Sequence, residues 1–156
     1  MRVSEAMTCE VRLTKPRQSI RAAAKVMAEI DAGALPVAER DRLVGMITDR
    51  DIAVRAIATG KGPDTLVREV MSSGVRYCFE DEELDHVANN MGAERIRRLP
   101  VVNRSKRLVG ILSLGDIAAV AGPHATDDMI SGVSQPGAPH SQSHSAGISP
   151  SDSAQR

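Results

Sequence analysis

Two short stretches each place a hydroxyl and a carboxylate three residues apart: Thr48 and Asp51 in "LVGMITDRDIA", Ser113 and Asp116 in "LVGILSLGDIA". A Ser or Thr followed three residues later by an acid, ahead of an apolar run, is a capping box. Its hydroxyl accepts a first-turn N–H, and its carboxylate returns to the N–H of the cap. A carboxylate can also accept hydrogen bonds from the vicinal hydroxyls of a ribose, as an acidic residue does in dinucleotide sites. Either reading fits one pair alone. Three features add weight to a ligand groove. Each pair stands where an apolar β run stops and a helix starts, a place where unpaired N–H groups face outward. Gly45 and Gly110 lie just upstream in the strand, and a missing side chain there admits a close approach to the backbone. The arrangement also occurs twice.

Carboxylates at a helix start would hold the sugar and repel phosphate, so phosphate requires cations nearby. "ERIRRLPV" supplies Arg95, Arg97 and Arg98, while Arg50 and Arg55 flank the first helix start. Guanidinium forks suit phosphate because they donate two bonds at once. The alternative for these arginines is a solvated face.

The elements that must position these groups form an internal repeat. "VSEAMTCEVR" from Val3 aligns with "VREVMSSGVR" from Val67, Met27 with Met91, and "ALPV" (34–37) with "RLPV" (98–101). The register slips by one residue between "AERDR" and "VNRSKR", a polar connection where a hairpin loop tolerates insertion. Each copy opens with a short extended piece, "VRL" or "VRY". A helical stripe follows: Ile20, Ala23, Ala24, Met27 and Ile30 in the first copy, Leu84, Val87, Ala88 and Met91 in the second. Two β runs then form a hairpin. A second helix runs from near Asp49 to Gly60 in the first copy and from near Gly115 to Gly122 and Pro123 in the second. The predicted fold class is α/β (α+β), two β-α-β-β-α repeats at 1–62 and 63–122. One unit of roughly 60 residues buries too little surface alone, so the two are expected to pack together. From about Gly132 the chain turns to Ser, Gly, Pro, His and Gln without apolar period; 123–156 is predicted to hold a short helix at most and then a disordered tail.

Composition excludes several classes. Twenty basic and twenty acidic residues leave no net charge to draw the protein to nucleic acid or anionic lipid. Tyr77 and Phe79 are the only aromatics, too few for base stacking. No run nears the ~18 apolar residues of a spanning helix, and a soluble cytoplasmic protein with no membrane association is expected. Cys9 and Cys78 stand in no zinc-ligand or disulfide spacing, and the register pairs Cys78 with Thr14, which suits a buried strand residue. His86 falls on a helix, and His124, His140 and His144 lie at the core's edge or in the tail, so no nucleophile and base are paired. Neither catalysis nor a metal is expected.

The paired "ALPV…LVGMITDRDIA" and "RLPV…LVGILSLGDIA" resemble the tandem cystathionine-β-synthase (CBS) domain pair, or Bateman module, over roughly residues 1 to 122. Both copies of its nucleotide-contact motif are intact, as Gly45, Thr48, Asp51 and Gly110, Ser113, Asp116. The resemblance implies a pseudo-twofold pair that binds AMP, ADP or ATP between the copies. Asp would hold the ribose, Thr or Ser would assist, and apolar strand residues would sandwich adenine. Carried over by position, Arg97 and Arg98 would meet phosphate at the Ser113/Asp116 site. The first copy departs from the pattern, with Gly33 and Ala34 where those arginines stand, and its cleft would bind a less charged ligand, rely on Arg50, or stay empty. The resemblance further implies a homodimer and a regulatory sensor, similar to small stand-alone bacterial proteins of stress and hypoxia response. The competing expectation is a structural or protein-interaction pair with no nucleotide ligand.

Overall fold

The structure is a computed structural model describing residues 1–122. The tail and the short helix expected in 123–156 lie outside the described residues. Elements run in the order α1 (Val3–Ala6), α2 (Ile20–Ile30), β1 (Ala34–Glu39), β2 (Arg42–Thr48), α3 (Asp49–Asp51), α4 (Val67–Val70), β3 (Cys78–Phe79), α5 (Leu84–Glu94), β4 (Arg98–Val102), β5 (Leu108–Ser113) and α6 (Leu114–Ala121). Beyond α3 the chain continues as a π-helical turn (Ile52–Ala56) and a 3-10 turn (Ile57–Thr59), closed by Gly60 at φ 81°. Thr59 contributes to this irregularity. Its hydroxyl donates to the carbonyls of both Arg55 and Ala56 and so competes with the regular ladder.

The two long helices are amphipathic for the expected reason. Ile20, Ala23 and Met27 on α2, and Leu84, Val87, Ala88 and Met91 on α5, are buried at spacings of three and four residues. Each helix ends on a left-handed residue at the same place in the repeat, Asp31 at φ 51° and Arg95 at φ 58°. The β1–β2 hairpin turns on Arg40 and Asp41, both at positive φ, whereas the β4–β5 loop is longer and pinned by Asn103, whose side-chain oxygen accepts the N–H groups of Ser105 and Arg107. The one-residue slip of the repeat is accommodated here. β3 pairs parallel with β4 through Cys78 and Val101; in the first copy the extended piece is reduced to one parallel bridge, Thr14 to Val37.

The periodicity carried no sign of how the two units are tied. Val3, at the start of the first copy, is fully buried in the core of the second, with Cys78, Leu84, Val87, Met91, Leu99 and Leu112. Val67 and Val70, at the start of the second, are buried in the first with Ile20, Met27, Leu35, Val37 and Ile47. The exchange is reciprocal down to the backbone: Val3 and Ser4 donate to the carbonyls of Glu82 and Glu80, while Val67 and Arg68 donate to those of Gln18 and Pro16. Past each short helix the chain adds onto the other unit's sheet, Thr8 against Ile111 and Ser72 against Met46. Each valine contributes about 1.5–3 kcal/mol of burial to the unit it does not belong to in sequence. Neither core is complete without the other copy's leading segment.

Candidate functional site

That exchange explains the glycines of "LVG". A Cβ on Gly45 would lie 2.7 Å from the Ser72 carbonyl oxygen and 2.9 Å from Met71 Sδ. On Gly110 it would lie 2.5 Å from Met7 Sδ and 3.1 Å from the Thr8 carbonyl oxygen. The close approach expected at these glycines is therefore made by the exchanged segments, which then form one wall of a cleft.

The cleft measures about 300 Å³ and opens between the copies. From the first copy come Thr8, Glu10, Val11 and Arg12 with Ile30, Ala32, Ala34 and Pro36; from the second come Arg98, Ile111, Ser113 and Asp116. Ser113 ends β5 and caps α6, so a strand end and a helix start aim both motif side chains at the same space. Ser113 Oγ accepts the Asp116 N–H at 3.1 Å, and Asp116 Oδ2 accepts the N–H and hydroxyl of Ser113 at 2.8 and 2.7 Å. The capping box is thus fully formed. With Oδ2 holding two donors, the free acceptor capacity lies on Oδ1, whose one hydrogen bond among the described residues comes from the Thr8 hydroxyl at 3.4 Å. A sugar diol would meet that oxygen and Thr8, rather than one carboxylate oxygen per hydroxyl.

Charge in the cleft is sparse. Arg12 is tied to Glu29 at 2.7 Å, while Arg98, on the first residue of β4, makes no ion pair among the described residues. Glu10, also unpaired, adds a carboxylate. Pro36, Ile30, Ala32, Val11 and Ile111 supply apolar walls.

Of the seven candidate residues, Arg98, Ser113 and Asp116 come together here. Arg97 does not line the cleft: its side chain is exposed, and its carbonyl accepts the Leu114 N–H at the start of α6. Thr48 and Asp51 form the matching cap on α3, with Thr48 N–H to Asp51 Oδ2 and Asp51 N–H to Thr48 Oγ1 both at 3.0 Å. There the outer oxygen is engaged, since Asp51 Oδ1 lies 3.8 Å from Arg55 Nε. Val120 occupies the Arg55 position in the second copy, leaving Asp116 without such a partner. Arg50 is exposed and outside the cleft. Gly33, aligned with Arg97, also has a local cause: a Cβ there would fall 2.8 Å from the Asp49 carboxylate. Thr8 is the residue that motif reasoning missed; the repeat aligns it with Ser72, and a hydroxyl at both places was the available signal.

Tyr77 and Phe79 meet edge to face at 5.7 Å with Lys106 and Arg104 over their rings, away from the cleft. Cys9 is exposed, and Cys78 is buried with its thiol pushed up to about 12, first by burial and then by Glu82. Among the described residues no three His, Cys, Asp or Glu side chains assemble to hold a metal, and no helix is long and apolar enough to cross a membrane.

The CBS domain family model matches residues 3–57 and 67–122. The chain belongs to the CBS domain family. CBS domain-containing protein YhcV of Bacillus subtilis is 42% identical over 116 residues, which span 74% of this chain and 82% of that protein. Hypoxic response protein 1 of Mycobacterium tuberculosis is 34% identical over 132 residues, 83% of this chain and 92% of that one. The crystal structure of Hypoxic Response Protein I with two coordinated zinc ions superposes with a TM-score of 0.70 at 34% identity, covering 77% of this chain and 98% of that one. The CBS domain pair of protein MJ0100, solved with 5-methylthioadenosine and S-adenosyl-L-methionine, gives 0.67 at 32%, covering 78% and 96%. CBSX2 in complex with AMP gives 0.69 at 25%, covering 77% and 95%. The zinc belongs to that neighbour. Here, among the described residues, the potential metal donors do not converge.

Proposed function

We propose that this CBS pair is a non-enzymatic sensor that binds an adenosine-containing ligand in the cleft lined by Ser113 and Asp116, one ligand per chain. The observation that carries this reading is Asp116 Oδ1, an acceptor with capacity to spare facing a cavity with apolar walls and a free guanidinium, Arg98. The apolar walls suit adenine, Oδ1 with Thr8 suits the ribose hydroxyls, and Arg98 suits a 5′ phosphate. Adenosine compounds bound to MJ0100 and CBSX2 support this ligand class. The Asp51 side is the weaker of the two, because Arg55 already faces its outer oxygen. Binding would act on function through its different affinity for two arrangements of the copies, whose cores are interlocked by the exchanged segments.

Dimerisation belongs to the same reading. Val54 and Ile57 beyond α3 and Val120 on α6 are 48%, 61% and 39% exposed, and a second copy of the chain would cover them.

A structural or protein-interaction role is the second reading, favoured by the complete capping boxes, which give both motif carboxylates a task in the backbone. Thermal denaturation with and without saturating AMP separates the two. The sensor gains stability by RT ln(1 + [L]/Kd), about 2.7 kcal/mol at a hundredfold excess over Kd, and Asp116→Ala removes most of the gain. A melting temperature indifferent to AMP supports the structural reading.

A further inference from the structure

The charges around the cleft set a limit on the ligand's tail. Asp116 is committed to the α6 cap and points its free oxygen inward. Glu10 lines the same cavity with no cation against it. Arg12 also lines it, but its guanidinium is held by Glu29. The lining holds two carboxylates, Asp116 and Glu10, and two guanidinium groups, Arg12 and Arg98; with Arg12 paired to Glu29, one unpaired cation faces two carboxylates. Among the described residues lining the cleft Arg98 is the one cation without an ion pair, and Arg97, the neighbour that could have doubled it, is not among them. A monophosphate can be neutralised by one guanidinium fork. A di- or triphosphate brings further negative charge beside two carboxylates that one free guanidinium must offset, a repulsion that solvent screens only in part.

From this we infer that the cleft discriminates by tail charge: it takes adenosine compounds whose 5′ group is neutral, cationic or a single phosphate, and it rejects polyphosphates, with Glu10 the residue that sets the limit. The inference rests on the proposed adenosine site and adds what that site selects. Glu10 acts by like-charge repulsion from the wall of the cleft. Its counterpart in the repeat is Gly74, so only this cleft carries the device.

The test is isothermal titration of the full chain at fixed ionic strength, without divalent cations, using 5-methylthioadenosine, AMP, ADP and ATP. The expected order is loss of affinity with each phosphate beyond the first, ATP weaker than AMP by roughly tenfold or more, the scale of one like-charge contact in a partly screened site. Glu10→Gln, at an exposed position, narrows the ATP-to-AMP ratio by about threefold or more. Arg98→Ala weakens AMP more than 5-methylthioadenosine. ATP binding as tightly as AMP, or a ratio unmoved by Glu10→Gln, overturns the inference while leaving the adenosine site intact. No heat from any of the four compounds overturns the site itself and the inference with it.

Discussion

Replacing Gly45 by alanine tests whether the "LVG" glycines serve the exchanged segments or the ligand. The new Cβ would sit 2.7 Å from the Ser72 carbonyl oxygen, which accepts the Met46 N–H at 3.0 Å while Ser72 returns its own N–H to Met46 at 2.9 Å. Backbone must therefore move, and the pair of hydrogen bonds that carries the segment onto β2 is strained. Overpacking of this kind costs about 1–3 kcal/mol, and weakening two hydrogen bonds places Gly45→Ala toward the upper end. At Gly110 the nearest atom is the thioether of Met7, the far end of a flexible side chain, with the Thr8 carbonyl oxygen at 3.1 Å. Met7 can turn aside, so Gly110→Ala should cost less, about 1 kcal/mol. Gly62 has nothing within 4 Å of a new Cβ, and Gly62→Ala is expected to be neutral or stabilising by about 0.4–1 kcal/mol through the unfolded chain. Urea denaturation of the three variants beside the parent, read at constant m-value, gives the ranking. Gly45→Ala and Gly110→Ala as stable as Gly62→Ala, yet deficient in ligand affinity, would refute the packing explanation and return the glycines to the ligand.

Other consequences are simpler to measure. Thiol titration of the native protein should find one reactive cysteine, the exposed Cys9, and two after denaturation, since Cys78 is buried and stays protonated. The same burial has a pH signature. The unfolded thiol ionises near 9.0 and the folded one only near 12, so this contribution is intact below pH 9 and is lost as pH rises from 9 to 12; Cys78→Ala should flatten that part of the stability profile. Asp51→Ala leaves the Thr48 cap in place but removes the return bond to its N–H, and should cost about 0.5–1.5 kcal/mol of stability with AMP affinity retained, which denaturation and titration on one preparation will show. The proposed dimer predicts that the parent chain sediments as a dimer and that Ile57→Glu with Val54→Lys sediments as a folded monomer, because both side chains are exposed; a parent chain that sediments as a monomer contradicts it.

Much of the architecture could be read before any coordinates. Period-3.6 stripes located α2 and α5, because Ile20 to Ile30 and Leu84 to Met91 are periodic runs whose members fall on those helices. The loop slip marked the two hairpin turns, and the S/T-x-x-D spacing located both helix caps. Segment exchange was invisible, since Val3 and Val67 are identical in type and a sequence repeat cannot say which core each enters. Thr8 escaped for the same reason: it belongs to the first copy in sequence and to the second in space. Arg97 and Arg98 could not be told apart by chemistry. Strand register decides, placing Arg98 opposite Ser113 in the β4–β5 pair and leaving Arg97 outside the strand. Side-chain hydrogen bonding by Thr59 contributes to the irregular helix after Asp51, a local competition that an apolar pattern does not record.

The most direct measurement is a crystal structure of the full chain grown with saturating AMP. The expected result is one nucleotide per chain with its ribose hydroxyls within hydrogen-bond distance of Asp116 Oδ1, adenine between the apolar walls, and phosphate on Arg98. Clefts holding solvent alone at saturating AMP, or a nucleotide bound away from Asp116, would contradict it.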